Sequence, residues 1–180
     1  IYAGVGSGQY YGIQESLPSD GLYVSYDRGH TWTQVLPNIP GTSTPYCPSD
    51  IEISLNNKIF VGTMKNLDAL GGSIILSTNL LDINTWQIYT DMHESIINQE
   101  EFNIPGRVML DSSISEPNIL YAVFGSGFIN DYGFNYSYGN HILKTTDSGN
   151  TWYNQNIPDV TENNWATLAW HALTLKIDPN

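Results

Sequence analysis

The chain has 180 residues, with 6 Lys plus Arg against 18 Asp plus Glu and a formal net charge of −12, a balance that excludes the clustered cations a nucleic-acid partner needs and disfavours anionic membranes. With 12 Tyr, 5 Trp and an aromatic share of 12%, it is no disordered acidic tail. Its single cysteine, Cys47, rules out an internal disulfide and a Cys-based zinc site, and no apolar run approaches the roughly 18 residues of a membrane span.

In chain order, "IYAGV" (residues 1–5) reads as a strand and is followed by a long loop over residues 6–21. "GLYVSY" (21–26) and "TWTQVL" (31–36) read as two strands joined by a tight turn, and residues 37–49 form a second long connection. The next strand is "DIEISL" (50–55). Asn56-Asn57 turns the chain into "KIFVG" (58–62), and residues 63–72 loop over to "GSIILST" (72–78) and "TWQIYT" (85–90). Residues 91–106 are another long connection, where Met92 to Phe102 carries the chain's one hint of helical spacing. "RVMLD" (107–111), "ILYAV" (119–123), "HILKTT" (141–146) and "TWYNQNI" (151–157) repeat the four-strand series, with "GSGFINDYGFNYSYGN" (125–140) as a loop. After a last long connection, "ALTLKID" (172–178) looks like the first strand of a further unit. Tyr2, Phe60 and Tyr121 recur at about 60 residues, room for four short strands and their turns.

One device recurs with the strands. Ser25, Asp27, Gly29, Thr31 and Trp32 match Thr145, Asp147, Gly149, Thr151 and Trp152 in the pattern [ST]-x-D-x-G-x-T-W. A worn copy keeps Ser77, Thr85 and Trp86, with Asn79 in the Asp place and two extra residues. The carboxylate suits turn N–H groups, glycine suits a positive φ, the hydroxyls bond across the corner, and Trp covers the gap between sheets. These roles make Asp27 and Asp147 turn residues, and they predict largely buried tryptophans in equivalent places.

The device resembles the Asp-box, or BNR repeat, of sialidase-like and sortilin-like β-propellers, and propeller xyloglucanases share such boxes. The resemblance implies an all-β fold of four-stranded antiparallel blades, with the boxes between the third and fourth strands and away from the ligand face. On that reading residues 1–37 end one blade, 49–90 and 106–158 are whole blades, and 171–180 begin a fourth. Three blade-equivalents cannot close a ring, so the chain reads as a piece of a longer protein whose remaining blades are its partners. The "TTDSGNTW" and "WHALTLKIDPN" stretches resemble secreted bacterial propellers, which implies an extracellular or cell-surface place.

Function is expected on the face opposite the boxes, because the long connections gather there. Its aromatic and acidic content suits a polysaccharide or a protein partner, with Tyr132, Tyr136, Trp165 and Trp170 as the candidate ligand contacts. No cofactor and no metal site is expected: the histidines lack ligand spacing. A sialidase would need three arginines around the substrate carboxylate, and only Arg28 and Arg107 occur. No pair of acids stands out as catalytic, so binding or scaffolding leads. A glycoside hydrolase, xyloglucanase-like or sialidase-like, with catalytic residues partly outside this piece, is the alternative.

Overall fold

Short apolar alternations pair here into antiparallel sheets. The computed structural model describes residues 1–6, 9–10, 13–14, 19–65, 71–133, 135–157, 169 and 172–178. The first sheet holds β1 (Tyr2–Val5), β4 (Gly21–Val24) and β5 (Thr33–Gln34) in the order β1-β4-β5, with β2 (Gln9–Tyr10) and β3 (Ile13–Gln14) as a small separate hairpin. The second runs β6 (Cys47–Ile53), β7 (Lys58–Met64), β8 (Ile75–Asn79) and β9 (Asp82–Tyr89), each paired with its neighbour in sequence. A helix, α1 (Asp91–Ile97), leads to the third sheet of β10 (Ile104–Ser112), β11 (Leu120–Ile129), β12 (Asn135–Thr145) and β13 (Tyr153–Gln155).

Three expectations change. The connection over residues 125–140 is largely strand: the ladder continues through Phe128↔Tyr136 and Ile129↔Asn135 to a turn closed by Gly133 N–H on Asn130 O at 2.9 Å. Its glycines suggest a loop, but Gly106 lies so close to Gly125 that a Cβ there would sit 2.4 Å from the Gly125 carbonyl oxygen. At this junction glycine serves close approach, whereas Gly133 at the tip serves a positive φ of 81°. The helical stretch is the seven residues of α1 and stops short of Phe102. Residues 172–178 lie beside β10 but join no ladder among the described residues; Ile177 N–H bonds to the Asp111 carboxylate instead.

The two full motif copies build the same turn. Asp27 Oδ1 accepts from Thr31 N–H at 2.8 Å and Ser25 Oγ at 2.9 Å, and Oδ2 accepts from Thr31 Oγ1 at 2.6 Å. Asp147 accepts from Thr151 N–H at 2.9 Å, Thr145 Oγ1 at 2.8 Å and Thr151 Oγ1 at 2.5 Å. Arg28 and Gly29, like Ser148 and Gly149, take positive φ in succession. The worn copy is in a different register from the one its spacing suggests. Ile59 pairs with Thr78 as Leu120 pairs with Thr145, so Thr78 and not Ser77 stands in the place of Ser25 and Thr145. Thr78 Oγ1 donates to Thr85 O at 2.5 Å, and no carboxylate fills the turn; Ser77 sits one residue back, opposite Phe60. Trp86 keeps its place, because the residue after it pairs opposite Ser77 as Tyr153 pairs opposite Lys144.

The tryptophans join successive sheets. Trp86 packs on the cluster that includes Leu22, Leu36, Ile59 and Leu76, and donates Nε1–H to Val35 O at 2.9 Å. Trp152 packs on the cluster of Phe60, Ile75, Val108, Leu120 and Phe124, with its ring 6.0 Å from that of Tyr89. Trp86 and Trp152 are partly buried, and Trp32, 42% exposed, departs from the expectation of large burial. The physical reason is positional: each tryptophan leans on the sheet before its own, and the first sheet has none before it among the described residues.

Thr31 hydrogen bonds, foremost, hold the Asp27 carboxyl at about 2, and those of Thr151 do the same for Asp147, against an ordinary 3.8. A folded-state value below the unfolded one adds stability above pH 3.8 that is lost as pH falls toward 2. Asp147→Asn should therefore lower the melting temperature at pH 7 and flatten its decline between pH 4 and 2 in a thermal titration. An unchanged acid limb would contradict this role. Trp86→Ala should cost about 3 kcal/mol in urea unfolding, and Trp32→Ala less than half of that in dilute solution.

Candidate functional site

Polar contacts identify one side of the structure as the turn side. Asn56 Nδ2 donates to Ser148 Oγ at 2.6 Å, Ser148 Oγ donates to Asn118 Oδ1 at 2.7 Å, and Lys58 Nζ reaches Ser148 O at 2.9 Å. The β6–β7 and β10–β11 turns thus meet the Asp147 turn of the third sheet. Strand direction then places the α1 connection and the tip of the β11–β12 hairpin at the opposite end.

Three rings gather there. Phe128 and Tyr138 face each other across the hairpin, nearly parallel at 6.1 Å, and Phe102 sets its edge against both, at 5.1 and 5.2 Å. Edge-to-face pairs of this kind contribute about 0.5–1.5 kcal/mol each beyond area burial. Phe102 takes a φ of 55°, a left-handed conformation that a bulky residue rarely adopts. All three rings are partly exposed, so they form a small apolar floor. Beyond it, Ile129 and the hairpin-tip Tyr132 stand out, the latter 86% exposed.

The floor rests on a tight backbone junction. Ser73, fully buried with a φ of 55°, donates N–H to Gly106 O at 2.9 Å, and its hydroxyl accepts Gly106 N–H at 3.1 Å. The same hydroxyl lies 3.3 Å from Gly125 O. His93 Nδ1 lies 2.7 Å from Gly72 O; a carbonyl only accepts, so the ring carries its proton on Nδ1. His141, opposite Phe124, has its Nε2 buried without a hydrogen-bond partner, and burial pushes its pKa below 6.5. Burial also lowers Arg107, against which the charges of Asp50 and Cys47 work. Among the described residues no three His, Cys, Asp or Glu side chains lie close enough to hold a metal ion.

Of the four residues expected to contact a ligand, Tyr132 is at the hairpin tip, away from the turn side. Tyr136 lies in β12, but its side chain, like Trp165 and Trp170, lies outside the described residues. Phe102 was not singled out in the sequence; its signal is an aromatic closing an acidic helical stretch, which spacing alone does not connect to Phe128 and Tyr138.

No protein-family model matches the chain. No curated protein matches it either. Among solved structures it is similar to the GH74 xyloglucanase from Xanthomonas campestris, at 19% identity and a TM-score of 0.54, over 91% of this chain and 22% of that one. It is also similar to a GH74 enzyme from Niastella koreensis, at 16% identity and a TM-score of 0.49, over 85% of this chain and 22% of the other. The chain thus spans about a fifth of the length of each. The first likeness concerns the fold alone and is consistent with a section of a β-propeller.

Because burial holds the His141 imidazole below its ordinary 6.5, the unfolded chain takes up a proton there more readily than the folded one, and stability should fall as pH drops below that value. His141→Phe, set between Phe124 and Leu143, should remove part of the loss between pH 7.5 and 5.5 in urea titrations; an identical pH dependence would refute the assignment.

Proposed function

We propose that this chain is a section of an extracellular or cell-surface Asp-box β-propeller. Its units are residues 1–37, 49–90, 106–158 and the strand that opens at 171–180. Asp27 and Asp147 hold its turns, and the end bearing the α1 connection and the β11–β12 hairpin binds polysaccharide. The observation that carries this reading is the partly exposed floor of Phe102, Phe128 and Tyr138 at the end of the structure where Tyr132 stands 86% exposed. Flat apolar rings match the apolar faces of pyranose rings and need no positive charge, which suits a chain at −12. Likeness in fold to a xyloglucanase supports a carbohydrate partner and makes xyloglucan the first polymer to try. The same likeness favours a second reading, a glycoside hydrolase completed by blades outside this chain. No helix of the described residues is long and apolar enough to cross a membrane.

Tyr132→Ala leaves the fold intact by this account and should weaken retention on xyloglucan in affinity electrophoresis by about tenfold, the equivalent of one lost stacking contact of about 1.4 kcal/mol. Trp165→Ala should act in the same direction. No retention of the folded wild-type chain on xyloglucan or on a glycan array would sink the binding reading, while release of reducing sugar from the polymer would favour the hydrolase.

A further inference from the structure

The α1 connection covers one face of the β11–β12 hairpin. Phe124, Ser126 and Phe128 alternate along β11 and so face the same way, with His141 opposite Phe124 and Tyr138 opposite Ser126. The inner part of this face is core: Phe124 is fully buried, in one cluster with Met92 and Ile96 of α1. The outer part is Phe128 and Tyr138, and the ring set over them is that of Phe102, in the stretch that follows α1.

Two opposing effects act on Phe102. Its φ of 55° is the left-handed conformation, which crowds the Cβ of a bulky residue against its own backbone. Against that cost stand two edge contacts, at 5.1 and 5.2 Å, of the same order as the strain. Cost and gain nearly cancel, so the covered state is favoured by little. Glu100, Glu101 and Asn103 beside it are exposed, which leaves the ring to tie this stretch to the hairpin. Both ends are fixed: Asn98 Nδ2 donates to Glu94 O at 2.7 Å, and Gly106 N–H is held by Ser73 Oγ at 3.1 Å. Only the residues between them need move.

The surface beneath suits a ligand. Phe128 and Tyr138 are parallel to within 2° and project from one sheet face, so an outside ring reaches both from the side that Phe102 takes. One row further in, His141 Nε2 is buried with no hydrogen-bond partner among the described residues.

We propose that Phe102 is a built-in stand-in for a sugar ring, and that residues 99–103 form a cover which polysaccharide displaces from Phe128 and Tyr138. This deepens the binding reading above and rests on it; the three-ring floor is its covered form. Displacement relieves the Phe102 backbone and exchanges two edge contacts for stacking by the incoming ring. It also opens a way to His141 Nε2, a group able to hydrogen-bond a sugar hydroxyl. A cover that is closed most of the time lowers apparent affinity by the fraction open.

Phe102→Gly removes the ring and tolerates the φ, while Phe102→Ala removes the ring and keeps the strain. In urea unfolding the Gly variant should be at least as stable as the Ala variant, the reverse of their ordinary order, and this readout needs no ligand. In affinity electrophoresis the Gly variant should bind xyloglucan about fivefold more tightly than wild type, as losing a cover open about a fifth of the time would do. Phe102→Asn, which also tolerates the left-handed conformation, takes its place if circular dichroism shows Phe102→Gly unfolded. An Ala variant more stable than the Gly variant would overturn the strain and the cover with it. Wild-type retention that Phe102→Gly only equals, or falls below, would make Phe102 a fixed wall of the site; the inference would fail and the binding reading would stand. No retention of either folded chain would end both.

Discussion

The inner edges of these sheets carry main-chain N–H groups that need acceptors. An edge strand left bare invites wrong partners and strands polar groups away from water. Here the strand ahead supplies the acceptors from its side chains. Ser49 Oγ accepts from Val108 N–H at 3.2 Å and donates to Val108 O at 2.6 Å, while Asp50 takes Leu110 N–H. Ser112 Oγ donates to the Glu52 carboxylate one step further on. Polar side chains on β6 thus set the spacing and offset of β10. The tryptophans, the buried faces and the turn contacts of Ser148 are arranged around that offset.

Much of this order was legible because it repeats. A motif of five fixed positions and a recurrence near 60 residues identify the strands, the turn chemistry and the side on which the turns lie. What escaped has physical causes. Glycines near positions 106 and 125 read as loop because a sequence does not reveal the carbonyl that crowds them. The worn motif was misread by one residue because a bulge between Ser77 and Asn79 absorbs the insertion, and only pairing shows which hydroxyl replaces Ser25. The burial of Trp32 depends on a neighbour, which no local pattern encodes. The three-ring floor joins Phe102 to residues on a distant hairpin, a juxtaposition that only the β10–β11–β12 pairing creates.

Charge is distributed unevenly over this scaffold. Most acids stay at the surface, where a net charge of −12 favours solubility. The acids that do reach the sheet junctions are put to use. Asp111 takes Lys176 Nζ at 2.7 Å as well as Ile177 N–H. Glu52, half-buried beside it, is pushed upward in pKa mainly by burial, with the Asp111 charge adding and the Ser112 hydrogen bond opposing. The Glu52–Asp111–Lys176 group lies toward the turn end, far along the strands from the aromatic floor. Its work is to hold the segment at 173–177 to the third sheet.

The overhang of β11 and β12 has a consequence for how such a chain can change. The hairpin closes its own ladder as far as Ile129↔Asn135, and among the described residues its tip turn is held by Asn130, whose side chain takes Tyr132 N–H at 3.1 Å and whose carbonyl takes Gly133 N–H. Residues at the tip therefore owe little to the sheet core. The extension works as a mounting bracket. New side chains, or a longer arm, can be fitted at Asp131 and Tyr132 without renegotiating the junctions that keep the sheets in line, so the tip can drift in sequence while the frame stays constant.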